Sequence, residues 1–250
     1  VLLGHCWPLV LGEAMPGHHW SGRQADVGKL AVYGFFVLSG FLITGSATRF
    51  GTGRFLWHRA LRIFPGLWVC LLVTAFVIAP AIALHEWGTL DGFWTHPYGP
   101  VDYVRGNWLL TMDTWNVSGI LQDVPFKGSI NGSLWSLRYE ALCYLLLAGV
   151  AATGALRRAP GVVALLTAAV YWVIAEDFVR GAGMLVLPPK HGLLGPYPIA
   201  GICDLQQVIY LTFVFLLGAL ARLYADRLPM TGPLAGFAAM VVVTTLHLGG

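Results

Sequence analysis

Charge is what this sequence has least of. Asp, Glu, Lys and Arg make up 11% of its 250 residues, against about 25% in soluble globular domains. A chain so poor in charge and 57% hydrophobic cannot cover a water-facing surface, which excludes a soluble fold. The formal net charge of +3 is small and dispersed, and no block of like charges or low-complexity tract is present, so a nucleic-acid-binding role is not indicated. The four cysteines, Cys6, Cys70, Cys143 and Cys203, are too widely spaced for a zinc knuckle or a disulfide framework. No His/Cys/Asp/Glu spacing suggests a metal site. A nucleotide-binding glycine loop is also missing, because Gly51-Thr-Gly53 is too short and lacks a preceding strand. No fixed-period repeat argues for a solenoid or an inverted-repeat transporter.

Long apolar runs and aromatics are abundant, with ten Trp, nine Tyr and thirteen Phe. A hydrocarbon core of about 30 Å takes roughly 20 helical residues. Apolar segments near that length lie at 30–46, 65–84, 133–154, 160–178, 205–221 and 233–250, and residues 1–11 read as the end of a further span. This predicts an all-α, polytopic membrane helix bundle with about seven spans. The chain opens and closes inside apolar runs and is read as a piece cut at both ends.

The connections alternate in character. Segments 47–64, 155–159 and 222–232 hold eight arginines against the single acid Asp226, whereas 12–29, 85–132 and 179–204 are long and more acidic. The positive-inside rule puts the short basic set in the cytoplasm and the long set outside, with 85–132 the longest outer loop. Those outer loops, with His18, His19, Glu86, His96, Asp102, Asp113 and several tryptophans, are candidates for an acceptor surface.

Ionisable groups inside spans are costly and point to function. Glu176 and Asp177 are assigned to a solvated helix end. His5 can exchange a proton near neutral pH, or can be an interior histidine bonded to a carbonyl. In Asn131-Gly-Ser-Leu-Trp-Ser-Leu-Arg-Tyr-Glu140, helical spacing puts Ser136, Glu140, Cys143 and Tyr144 on one face and Arg138 almost opposite. Glu140 is therefore a structural tie to another span or part of a proton-handling site. Asn131-Gly-Ser matches a glycosylation sequon, but a turn with Ser133 as helix N-cap is the preferred reading. Arg59 and Arg62, three apart, project from one face of a helical turn, and Pro65 is expected to open the next span. They suit a phosphate, or are ordinary cytoplasmic-side charge. Ser39 and Gly40 are small enough for close helix approach, and Ser39 can bond across helices.

In this order the motifs resemble those of the acyltransferase 3 family of integral-membrane acyltransferases. The resemblance rests on Leu-Gly-His5, on Gly34-Phe-Phe-Val-Leu-Ser-Gly-Phe-Leu-Ile43, on Phe55-Leu-Trp-His-Arg-Ala-Leu-Arg-Ile-Phe-Pro65, and on the Asn131–Glu140 motif. It implies one acyltransferase domain over 1–250, incomplete within a fold of roughly ten bilayer-length helices. It further implies that His5 and Glu140 are catalytic and that Arg59 and Arg62 hold the phosphates of acyl-CoA. Ser39, Asn131, Trp135 and Ser136 would support them. The family's arginine upstream of the histidine would lie before Val1. The implied activity is transfer of an acyl group, acetyl by the family's commonest use, from cytoplasmic acyl-CoA to a hydroxyl of an extracytoplasmic glycan or similar acceptor. It would take place in a bacterial cytoplasmic (inner) membrane and without a metal. The competing readings are a proton-coupled transporter or flippase that uses His5 and Glu140 as a relay, and an inactive membrane scaffold.

Overall fold

In a computed structural model of the chain, the described residues are 26–183, 198–199 and 203–227, with the single positions 16 and 240. They form a predominantly helical bundle whose one strand pairing is short: β1 (Pro198–Ile199) lies antiparallel to β2 (Cys203–Asp204). The helices are α1 (Val27–Arg49), α2 (Thr52–Val73), α3 (Ala79–Trp87), α4 (Pro100–Asn107), α5 (Trp135–Ala152), α6 (Ala155–Arg158), α7 (Gly161–Gly183) and α8 (Leu205–Leu223). Among the described residues four helical stretches are long and apolar enough to cross a membrane: Val27–Arg49, Thr52–Trp87, Gly132–Ala152 and Leu205–Leu223. The protein is a multi-pass membrane protein. The expected spans 30–46, 65–84, 133–154 and 205–221 fall on these stretches, and 160–178 falls on α7. The expected spans 1–11 and 233–250 lie outside the described residues.

Local chemistry sets the boundaries, and in places it departs from expectation. Asp26 caps α1, its Oδ1 accepting from Lys29 N at 2.8 Å. Asp204 caps α8 by accepting from Gln206 N and Gln207 N, which satisfies otherwise orphaned first-turn donors. Pro65 does not open a span: it sits inside α2, and helix runs unbroken from Thr52 to Trp87, 36 residues. At 1.5 Å per residue that is about 54 Å, well beyond the hydrocarbon thickness, so the basic stretch 52–64 can be helical and still reach the interface. A π-turn over Thr74–Ile78 joins α2 to α3, with Ala79 N donating to Thr74 O. Pro80 follows, and the widened turn accommodates a ring that cannot donate to the preceding turn and would crowd its carbonyl. Gly88, at φ 72°, ends α3 by donating to Leu84 O, a left-handed stop that glycine makes without a Cβ penalty. Asn131, not Ser133, caps the helical turn Gly132–Leu134 that leads into α5. Its Oδ1 accepts from Ser133 N at 3.3 Å and Ser133 Oγ at 2.7 Å, because an Asx side chain reaches the donor two residues on more directly than a seryl oxygen.

Successive spans alternate in direction. Arg157 Nε in α6 donates to Thr48 O at the end of α1, 2.7 Å away, and Arg222 near the end of α8 lies 5.5 Å from the Phe41 ring of α1. Arg49 and Arg222 border one cavity there, so at least one arginine from each of the three basic segments lies at the same end of the bundle. At the opposite end Tyr139 Oη accepts from Asp204 N at 3.1 Å, tying α5 to the start of α8.

The most extensive helix pair is α1 with α8. Gly40 and Gly218 meet there: a Cβ on Gly40 would collide with the Phe215 carbonyl, and one on Gly218 with the Val37 carbonyl. The core around this crossing is Phe36, Ile43, Phe215, Leu211 and Ala219, joined by Tyr144 and Leu147 of α5. A second core forms where Leu67, Leu71, Ala75 and Ala79 meet Phe93, Tyr103, Met112 and Ile120 of the long connection. That connection is therefore folded, and it is pinned by Ser118 Oγ to Phe93 O at 2.7 Å and by Asn107 Nδ2 to Thr114 O at 2.8 Å. Burial, with a smaller contribution from Cys70, pushes the Tyr103 hydroxyl up to about 12. Asp177, expected at a solvated helix end, is buried at 5% exposure; α7 runs on to Gly183 and packs against α8, where Tyr210 is close enough for its hydroxyl to feel the Asp177 charge.

Candidate active site

Glu140 lies on the second turn of α5 and is 6% exposed. A carboxylate there needs donors from elsewhere. It has two: Ser39 Oγ of α1 donates to Oε1 at 3.2 Å, and Tyr144 Oη, one turn further along α5, donates to the same oxygen. The two hydroxyls are 3.4 Å apart. Of the two readings open for Glu140, the tie to another span is thus present, and Ser39 is its partner.

Arg59 extends the cluster from a third helix. Its guanidinium carbon lies 6.0 Å from the centroid of the Tyr144 ring, within cation–π range. Among the described residues its buried Nε finds no hydrogen-bond partner. A guanidinium held roughly 10 Å along α2 from Thr52, with a donor unspent, suits an anionic or strongly polar ligand.

Arg59 and Tyr144 border a cleft of about 410 Å³ between α2 and α5. Its apolar walls include Leu56, Ile63, Phe64, Leu142 and Leu145, and Leu110, Arg138 and Cys203 mark its other end. Arg138 and Tyr144 are six residues apart, about 9 Å along the helix. Arg138 Nη1 donates to Thr111 O at 3.3 Å, and its guanidinium lies 5.8 Å from the Tyr139 ring. It therefore holds the segment in which Leu110 and Met112 take φ of 65° and 53°, a region costly for side chains of that size. Burial raises the Cys203 thiol above its ordinary value, with Arg138 pulling the other way.

The other candidates are more scattered. Arg62 is exposed and does not line the cleft. Asn131 Nδ2 lies 3.4 Å from Cys70 Sγ, tying the head of α5 to α2. Trp135 packs edge-on against Tyr139, 5.7 Å between centroids, and lines a separate cavity of about 230 Å³ with Asp26, Lys29, Tyr33 and Gln207. Ser136 is half-buried. His5 lies outside the described residues. Tyr144, Arg138 and Cys203 were not singled out as site residues by sequence reasoning. The i,i+4 spacing from Glu140 to Tyr144 was the available signal for the first, whereas long-range packing alone brings Cys203 and Leu110 to the cleft. Among the described residues no group of three or more His, Cys, Asp or Glu could hold a metal ion.

Residues 1–249 match the family described as "Acyltransferase domain". The chain is 31% identical over 147 residues to an O-acetyl transferase of Shigella phage Sf6, covering 58% of this chain and 40% of the relative. It is 29% identical over 185 residues to Nodulation protein 10 of Rhizobium leguminosarum bv. viciae, covering 71% of this chain and 48% of that relative. The matched region thus spans less than half the length of either relative. No solved structure matches the chain.

Proposed function

Because this chain belongs to the acyltransferase 3 family of membrane proteins, we propose that it is a membrane O-acyltransferase. It moves an acyl group, acetyl in the first instance, from acyl-CoA on the cytoplasmic side to a hydroxyl of an extracytoplasmic glycan or similar acceptor. Its place is the bacterial cytoplasmic (inner) membrane. The observation that carries the reading is the junction of three helices at which the Arg59 guanidinium borders an apolar cleft and faces, through Tyr144, the buried Glu140 carboxylate. An anion-ready cation beside an apolar passage suits a donor with a phosphorylated head and a long neutral arm. The name O-acetyl transferase borne by the phage relative supports acetyl as the group moved.

In this mechanism the donor phosphates meet Arg59, with Arg62 beside it at the interface. His5 takes the proton from the acceptor hydroxyl while the hydroxyl oxygen bonds to the thioester carbonyl carbon. The carbon–sulfur bond then breaks, and CoA leaves as the thiol with the proton that His5 returns. A route in which His5 first carries the acyl group itself balances equally well. Glu140 orients or compensates the imidazole, as carboxylates do in other histidine-centred sites.

The test is acetyl-CoA turnover by the purified full-length protein in detergent, native against Arg59→Ala/Arg62→Ala. The reading expects the KM for acetyl-CoA to rise about 10- to 100-fold, the effect of losing hydrogen bonds to a charged group. Well-folded native protein that shows neither binding nor turnover of acetyl-CoA overturns it.

A further inference from the structure

Among the described residues Tyr144 is the one that both lines the cleft and bonds to the Glu140 carboxyl group. Its side chain lines the cleft beside Arg59, whereas Glu140 and Ser39 do not. It is 3% exposed, with its ring 6.5 Å from that of Phe215 on α8. The hydroxyl is thus placed by packing as well as by its own hydrogen bonds, and a phenol has only two side-chain torsions to fix.

The proton count is informative. The Tyr144 and Ser39 hydroxyls have one proton each, both lie within hydrogen-bond reach of Oε1 of Glu140, and they are 3.4 Å from each other. Two hydroxyls converging on one oxygen restrict rotation of the carboxyl group, and among the described residues the hydrogen bonds to Glu140 fall on Oε1, which leaves Oε2 as the oxygen for a reacting partner. The same tyrosine presents its ring to the Arg59 guanidinium.

We propose that Tyr144 is a positioning residue, which through its ring seats Arg59 at the donor cleft and through its hydroxyl orients the Glu140 carboxylate. The inference rests on the acyl-transfer reading above. It predicts that the two halves of the side chain separate kinetically. Tyr144→Phe keeps the ring and removes the hydroxyl; Tyr144→Leu removes both.

The experiment measures acetyl-CoA turnover by the full-length protein in detergent for native, Tyr144→Phe, Tyr144→Leu, Glu140→Gln and the Glu140→Gln/Tyr144→Phe double variant. Tyr144→Phe should lose about 10- to 100-fold in kcat with the KM for acetyl-CoA within about twofold of native. Tyr144→Leu should raise that KM as well. The double variant should be no slower than Glu140→Gln alone, since a hydroxyl that acts only through the carboxylate has nothing left to position. A Tyr144→Phe variant with native kcat overturns the inference and leaves the acyl-transfer reading standing, as do losses that multiply in the double variant. Native protein that neither binds nor consumes acetyl-CoA removes both.

Discussion

The Gly40–Gly218 crossing gives the most direct test of the packing. Adding one methyl group at either position sets a Cβ inside the radius of a main-chain carbonyl on the facing helix, Phe215 O for Gly40 and Val37 O for Gly218. Carbonyls cannot rotate aside as a side-chain tip does, so the helices must separate. Separation loosens Phe36, Ile43, Leu211 and Phe215, all buried at 4% exposure or less. Overpacking of this kind costs about 1–3 kcal/mol, which for a chain of this size is roughly a 2–12 °C fall in Tm. Gly34→Ala is the internal control. Gly34 lies in the same helix with nothing within 4 Å of an added Cβ, and alanine is the better helix former by about 1 kcal/mol, so its Tm should hold or rise. The double variant Gly40→Ala/Gly218→Ala should cost less than the sum of the singles, because the first methyl already opens the gap the second needs. Thermal unfolding of the detergent-purified full-length protein reads all four. Tm values for Gly40→Ala and Gly218→Ala within 1 °C of native would refute the close crossing.

Two further outcomes follow from the far end of the cleft. Arg138→Ala should speed amide hydrogen exchange at Leu110–Asp113 several-fold while leaving Tyr103 protected, since it removes the bond to Thr111 O from a segment already held at unfavourable φ; unchanged exchange there would mean the loop is held by other contacts. Cys203, its thiol raised by burial, carries less thiolate at neutral pH than a free cysteine and should gain reactivity only as pH climbs past the ordinary thiol range. Maleimide labelling resolved by mass spectrometry checks this, and labelling at pH 7 as fast as that of a free thiol would contradict it.

The membrane class, the all-helical architecture and the spans at 30–46, 133–154 and 205–221 were legible because hydrocarbon thickness and backbone satisfaction leave few alternatives for long apolar runs. The start of α2 was not legible. Pro65 and the flanking arginines read as a boundary, yet a helix of about 54 Å tolerates a basic first third at the interface and a proline within it. Asp177 was misjudged because its burial comes from packing of α7 on α8, near Tyr210, which the local sequence does not announce. Glu140 stood out through the cost of its burial, but its partners came from packing. Periodicity put Tyr144 on the same face; Ser39 was legible as a hydroxyl able to bond across helices, but that its partner is Glu140, 101 residues later, came only from packing.

Ser39 and Gly40 together show how packing reaches the chemistry. Adjacent residues on a helix point about 100° apart, so when Gly40 is pressed against α8, Ser39 is turned toward α5, where it meets Glu140. The glycine contact sets the depth and rotation of α1, and at that setting Ser39 Oγ lies 3.2 Å from Oε1. Moving the helices apart at Gly40 therefore draws the hydroxyl away from the carboxylate, whereas moving α8 at Gly218 shifts the surface on which the Tyr144 ring rests, Phe215 included. One crossing thus carries both hydroxyls that orient Glu140. A chain with so few charges can keep a carboxylate in its interior because three helices share its compensation: a serine from α1, a tyrosine from α5 and, through the tyrosine ring, an arginine from α2.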